Sequence, residues 1–291
     1  MFTNRTAASD AGSVIPLGFI LIIAIVSVTL IIFNTSTFPI LGQNAEIAAH
    51  QDIESDFIRL DVRVYQTATT SVPQPVVMGN RVDYPFSLVP VKAPTPALKT
   101  HGPNELSIQN AQYTVNGTAY SATRDTSHIT YSRDYNFFTN ARAFGYEYGL
   151  VYSQPDGAEA GDSGIFLQDK QSVLNQNILT LVVLDGEIDS SRPAPTQVTI
   201  TPVPSEEAHV SITNQPSNRV QVVMPTRLPE STWRDALDGQ MVSNGGHLQQ
   251  LSYSETNPST GVDDGVHYVI LDLEQGVTYE VNLYTVALDN Y

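Results

Sequence analysis

The chain has 291 residues, with 14 Lys and Arg against 30 Asp and Glu, no Cys, and a formal charge of −16. That length can bury a sizeable core. The missing thiols exclude disulfides, thiolate metal sites and a cysteine nucleophile, and the acidic balance excludes the basic face that a nucleic-acid partner requires. Lysine occurs only at Lys92, Lys99 and Lys170. An acid excess with so few lysines suits concentrated salt. At about 1 M the Debye length is about 3 Å, so an acidic surface repels itself little and stays soluble.

Residues 14–33 read VIPLGFILIIAIVSVTLIIF and carry no charge. Twenty residues of helix span about 30 Å, the thickness of a bilayer's hydrocarbon core. Pro16 falls in the first turn, where its missing N–H costs least, and Ser27 and Thr29 are placed to bond back to helix carbonyls. A cleaved secretory signal has a shorter apolar stretch and a small-x-small site after it, which Asn34-Thr35-Ser36-Thr37 does not provide. A helix apolar on all sides wants lipid or a very large core. The expectation is a transmembrane helix over 13–33, the short N-terminus in the cytoplasm and the large acidic remainder outside.

The residues before that helix, Ser9-Asp10-Ala11-Gly12 followed by Ser13-Val14-Ile15-Pro16-Leu17-Gly18, resemble an archaeal class III, prepilin-type signal. The resemblance implies a leader over 1–12, cleavage after Gly12 and a mature chain starting at Ser13. Leu17 stands where bacterial members of that group carry Glu. Five further features are Gln43-Asn44-Ala45-Glu46, Tyr146-Glu147-Tyr148-Gly149, Leu184-Asp185-Gly186, Trp233, and the run from Glu274 through Tyr279. With the N-terminus they resemble haloarchaeal surface proteins with pilin-like N-termini. That resemblance implies a location and supplies no catalytic residue.

Beyond Pro39, expected to bend the chain, Ile53, Phe57, Leu60 and Val64 recur at helical spacing among charged residues. They predict an amphipathic helix over about 44–65, within a linker and stalk at 34–69, whose stripe buries against the chain's own ectodomain. Prolines then dominate 70–103, with short extended runs at 74–78 and 86–91. Alternating residues around Asn116-Gly117 predict a hairpin over 112–121. Strands are expected at 128–131, 144–152 and 220–224, and one buried on both faces at 178–184. Four prolines at 190–204 mark a candidate division of the ectodomain. Ser231 is placed to cap a short helix that turns Trp233, Ala236 and Leu237 to the core, and 267–273 and 278–288 read as a closing hairpin. The fold class is mainly β: the two helical segments, then a β-sandwich-like ectodomain over 70–291.

Candidate chemistry is sparse. Gly161-Asp162-Ser163-Gly164 matches four common residues of a serine-protease nucleophile loop, but Ile165 follows where those enzymes have Gly and no matching His motif precedes it. The six histidines have no ligand-like spacing. Acidic loops at Asp156, Glu159 and Asp162, and at Asp263-Asp264, lack an EF-hand pattern. Phe144, Tyr146 and Tyr148 alternate and read as one strand face, either core or a contact surface for a glycan or partner. Asn116-Gly117-Thr118 is a glycosylation sequon at a hairpin tip. No cofactor or metal is expected. The function expected is a non-enzymatic cell-surface protein, pilin-like or a membrane-anchored structural component. Its partners are the lipid bilayer and other copies of itself. The alternative is an anchored binding module for glycan or an envelope partner; an anchored enzyme lacks a visible site. The charge balance yields the first prediction: the ectodomain's thermal midpoint rises as salt is raised from about 0.1 to about 3 M. A flat or falling midpoint in a salt series refutes salt adaptation.

Overall fold

The computed structural model describes residues 11–84, 91–115, 118–155, 157, 164–167, 173–192, 195–204, 209–213, 220–244, 248–258, 260–263 and 265–290. Helical backbone runs unbroken through α1 (Ala11–Ile32), a π-helical turn (Phe33–Thr37) and α2 (Phe38–Thr70). Pro39 explains the wide turn. A proline has no N–H to give and its ring presses on the carbonyl four residues back. Here the Phe38 N–H reaches the Phe33 carbonyl, five residues back, so the helix widens ahead of the ring and continues. The sequence predicts a linker and a bend here, and the structure has a helix that starts earlier and ends later than 44–65. It stops where Ser71 turns left-handed, its N–H closing on the Thr67 carbonyl at 3.0 Å, two residues before Pro73.

The remainder holds β1 (Gln74–Met78), β2 (Pro96–Val115), β3 (Thr118–Arg133), β4 (Arg142–Glu147), β5 (Leu150–Pro155), β6 (Ile165–Phe166), β7 (Leu174–Asn175) and β8 (Ile178–Asp185). After them come β9 (Asp189–Ser190), β10 (Thr196–Val203), β11 (His209–Thr213), β12 (Gln221–Thr226), α3 (Glu230–Asn244), β13 (Leu248–Ser254), β14 (His267–Leu273) and β15 (Thr278–Asn290). One sheet runs β1-β10-β15-β8-β7, with β11 alongside the first half of β15. The other runs β13-β14-β12-β2-β3-β4-β5-β6, with β9 on β2. The mainly β fold behind a long apolar helix matches the sequence reading.

Two apolar clusters hold these layers. The first joins the two sheets and α3, with Leu106, Tyr152, Leu181, Met224, Trp233 and Leu283 among its members. The second seats α2: Ile53, Phe57, Leu60 and Val64 pack with Met78, Leu98, Tyr131, Phe144, Val198 and Leu288. The stripe thus buries in its own ectodomain, as its spacing predicts. The strand β8 sends Leu181 and Val183 to one cluster and Val182 and Leu184 to the other, so it is buried on both faces and pairs in parallel with β15.

Three sequence expectations change. The segment 144–152 is two strands, because Tyr148 (φ 51°) and Gly149 (φ 86°) form a tight turn of left-handed residues between β4 and β5. The strands β14 and β15 form no hairpin: β14 pairs with β12 and β13, while β15 pairs with β8, β10 and β11 in the other sheet. The proline-rich 190–204 carries β10, which lies between β1 and β15, so one sheet continues across it. The hairpin of β2 and β3 brings Val115 opposite Thr118, with strands far longer than 112–121, while Asn116 and Gly117 lie outside the described residues.

Because Phe57 is fully buried between α2 and the sheets, Phe57→Ala is expected to cost about 3–5 kcal/mol of unfolding free energy. Val62, exposed on the other side of α2, is expected to lose less than about 1 kcal/mol as Val62→Ala. Denaturant titration of the two variants checks that α2 belongs to the core.

Candidate functional site

From Leu17 to Ile32 the large apolar side chains of α1 are 42–72% exposed on every side of the helix. At about 1.5 Å per residue, its 22 residues reach about 33 Å. The helix is therefore long and apolar enough to cross a membrane. The Thr29 hydroxyl donates to the Ile25 carbonyl at 2.8 Å, and Thr35 to that of Ile31 at 2.9 Å, so these hydroxyls are satisfied within the helix. Gly12 and Ser13 lie in the first turn of α1, and 1–10 lie outside the described residues.

Where α1 gives way to α2, one carboxylate fixes the joint. Glu46 is fully buried and accepts from the N–H groups of Asn136 (2.9 Å), Phe137 (2.7 Å) and Phe138 (2.7 Å), and from the Tyr84 hydroxyl. Four donors on two oxygens replace the water that the carboxylate gave up. Beside it Phe38, Tyr84 and Phe137 pack ring to ring at 5.7–6.4 Å. Gly42 lets Phe137 lie on the helix, since a Cβ there would stand 2.5 Å from its ring. Higher up, Asp52 accepts from the Asn80 amide at 3.0 Å, and Asp56 accepts from the Gly79 N–H at 3.0 Å. Asp61 differs. It is 1% exposed, its Oδ1 has no hydrogen-bond partner, and burial pushes its carboxyl up to about 7.

A second buried polar cluster ties β3, β4, β12 and α3. Glu147 accepts from the Thr226 hydroxyl and from the Arg227 N–H at 3.2 Å. Thr226 Oγ1 in turn accepts from Trp233 Nε1 at 2.7 Å and from the Leu228 N–H at 3.0 Å, so one hydroxyl serves three partners. Tyr148 donates to the Pro225 carbonyl at 2.7 Å. His128 Nδ1 stands 3.8 Å from Glu147, an ion pair by distance only. Burial, aided by the Arg227 charge, lowers His128 to about 3, and burial raises Glu147 to about 7. The imidazole is therefore neutral at pH 7, and the side chains of His128, Glu147, Tyr148, Thr226 and Trp233 form a sealed polar pin, each at most 2% exposed.

The expected contact surface is corrected by burial: Phe144, Tyr146 and Tyr148 are 2%, 1% and 2% exposed. Nor do they share a face. Phe144 and Tyr146 join the cluster under α2, whereas Tyr148, beyond the turn, joins the cluster between the sheets. The expected glycosylation site Asn116 lies outside the described residues, as do Gly161, Asp162 and Ser163 of the protease-like loop and the acids Asp156, Glu159 and Asp264. Gly164 exchanges hydrogen bonds with the Thr232 hydroxyl at 3.3–3.4 Å. Among the described residues no three His, Asp or Glu side chains converge to hold a metal ion. His50 stacks on Phe144 and Phe138, and His209 bonds Asn282 at 2.7 Å. The sequence reading quotes Glu46 and Glu147 without assigning them a role. No spacing reveals them, because their donors lie 38 to 92 residues away along the chain.

Compared with protein-family models, with curated proteins and with solved structures, the chain matches none.

Asp61 gives a pH prediction. Its folded pKa, about 7, lies above the ordinary aspartate value of 3.8, so the folded state holds the proton more tightly. Its contribution is full below about pH 4 and falls as pH rises toward 7, with no further loss above. Asp61→Asn removes that loss. It is expected to unfold at the same denaturant concentration as the parent near pH 4, and to be more stable by about 2–4 kcal/mol at pH 8. An equal difference at both pH values refutes the assignment.

Proposed function

We propose that this chain is a non-enzymatic, membrane-anchored surface protein of a salt-adapted archaeon, with its N-terminus in the cytoplasm and its β-rich ectodomain outside. The observation that carries this reading is the rod of α1 and α2: an apolar helix exposed on all sides runs without a break into a helix buried in the ectodomain core. Exposed apolar surface of that extent is stable in lipid or against other apolar helices, not in water. The aromatic cluster of Phe38, Tyr84 and Phe137 stands directly above the apolar run, at the level where aromatic side chains favour a membrane–water interface. The charge of −16 supports a salt-adapted exterior.

Within this reading the chain is either a plain anchor or a pilin-like subunit. In the second case a peptidase removes residues 1–12, and the helix starting at Ser13 leaves lipid to pack among copies of itself. Leu17 offers no carboxylate to pair with a neighbour's new amino group, so such packing would rest on apolar contact alone.

Fractionation of the native protein tests the anchor. The full-length chain is expected in the membrane pellet, released by detergent, and a chain beginning at Phe38 is expected in the supernatant. A full-length chain that stays soluble without detergent refutes the proposal. Intact mass then separates its two forms: a start at Ser13, abolished by Gly12→Val, marks the pilin-like route, and a retained Met1 or Phe2 marks an uncleaved anchor.

A further inference from the structure

The rod stays free of charge well beyond its apolar run. Residues 11–45 carry no charged side chain. At about 1.5 Å per residue they make about 50 Å of helix, longer than the about 40–45 Å of a bilayer with its headgroups. The apolar run ends at Phe33, yet the first charged residue after it is Glu46, which is buried. Above Glu46 the pattern reverses, and Asp52, Glu54, Asp56, Arg59, Asp61 and Arg63 follow in quick succession. Phe38 and Ile40 stand about 8–11 Å beyond Phe33, at the outer side of a headgroup layer about 5–8 Å thick. Ile40 is 59% exposed there.

The ectodomain comes down to the same level. Tyr84 and Phe137 lie far from the helix in sequence, and their rings pack on Phe38 at 6.4 and 5.7 Å. None of the three belongs to either apolar cluster that joins the sheets and α2, so they form a separate aromatic knot at the foot of the ectodomain. Glu46 holds the knot in place. The N–H groups of Asn136, Phe137 and Phe138 converge on its carboxylate, so the turn that carries Phe137 cannot lift from the rod without stripping a buried charge of its donors. The Asn136 amide also ties in Lys92, whose carbonyl it meets at 2.9 Å. The charges of the segments that meet here cancel: Arg81, Lys92 and Arg133 stand against Glu46, Asp83 and Asp134. In a chain with 16 more acids than bases, this foot is an end that a lipid surface bearing phosphate groups does not repel.

We infer that the foot of the ectodomain, the turn at Asn136–Phe138 with Tyr84 and Ile40, is a second membrane contact that rests on the phosphate-bearing headgroup layer. Glu46 is its positioning residue. The inference rests on the reading of α1 as the membrane anchor and adds to it an orientation. Aromatic rings favour the headgroup level, where one side is apolar and the other wet. The helix fixes one point of the ectodomain on the membrane, and the turn fixes another to one side of it. The sheets then stand at a set angle to the bilayer instead of rotating with the tilt of the helix. The contact is small beside α1, so it orients the chain and does not anchor it.

The test is a depth measurement on the full chain in vesicles of phosphatidylcholine and phosphatidylglycerol. The chain has no cysteine, so one introduced thiol takes a single fluorescent label. The labelled variants are Ile22→Cys in α1, Asp83→Cys and Thr139→Cys at the foot, and Val72→Cys at the far end of α2, all exposed positions. Val72 stands about 50 Å above Phe38. Quenching is read with a nitroxide on the lipid headgroup and, separately, in the acyl chain. The labels at 83 and 139 are expected to be quenched by the headgroup nitroxide several-fold more than the label at 72, and only weakly by the acyl-chain nitroxide. The label at 22 is expected to show the opposite preference. Glu46→Gln, which replaces an acceptor oxygen with a donor, is expected to lower headgroup quenching at 139 and leave position 22 unchanged. Labels at 83 and 139 quenched no more than the label at 72, with position 22 still immersed, overturn the inference and leave the anchor standing. Stronger quenching at 139 from the acyl chain than from the headgroup also overturns it, as does full quenching at 139 in Glu46→Gln. No quenching at position 22 overturns the anchor and the inference together.

Discussion

The helical rod from Ala11 to Thr70 changes its surroundings halfway along without changing its backbone, and the rest of the structure is arranged around that change. Below the π turn the large apolar side chains from Leu17 to Ile32 face outward; above it a stripe of α2 faces inward, and Ile53, Phe57, Leu60 and Val64 are fully buried. At about 1.5–3 kcal/mol for each buried large apolar side chain, those four contribute on the order of 10 kcal/mol. That is comparable with the whole stability of a typical domain. The helix α2 is thus a core element, not a tether hung from an independent fold. Since helical backbone continues through the π turn, the ectodomain has no swivel between its core and α1. Whatever holds α1 also fixes the direction in which both sheets face.

Acidic residues in this chain fall into two physically different populations. Among the described residues most are exposed, and their mutual repulsion is a long-range effect that salt screens. Glu46, Asp61 and Glu147 are buried, and dissolved ions do not reach them. Glu46 survives in the interior because four donors converge on it, three of them backbone N–H groups of one short turn. Glu147 has fewer donors, and its carboxyl is pushed up to about 7. Asp61, with one oxygen unmet, is pushed as high by burial alone. Glu46 and Asp61 lie on the same helix at nearly the same exposure and differ in the number of donors that reach them. Salt and pH therefore act on separate sets of carboxylates in one molecule.

Local patterns carried much of this fold. The apolar run, the stripe of α2, the limits of β1 and β14, and the two-faced burial of β8 all follow from periodicity over a few residues. What periodicity does not hold is partner choice. The strands β14 and β15 have the sequence of a hairpin, yet each finds a better-covered place in a different sheet. The Tyr148-Gly149 turn was hidden because a tyrosine, not an asparagine or aspartate, takes the left-handed position, and its buried ring and hydroxyl hold it there.

The rod and a small groove lined by Lys99, His101, Gln154 and Arg227 lie on opposite faces of one sheet, divided by its pleat. Successive residues of a strand point to opposite faces, so a strand that gives Leu98 to the α2 core must give Lys99 to the other side. With α2 covering the first face, the second faces away from the rod. Arg227 links this outer face to the interior: its backbone N–H holds Glu147 inside the sealed pin, while its side chain lines the groove. The backbone of Arg227 is thereby held by a buried polar cluster. The same strands hold the chain to its rod on one side and carry Lys99, His101 and Gln154 on the other.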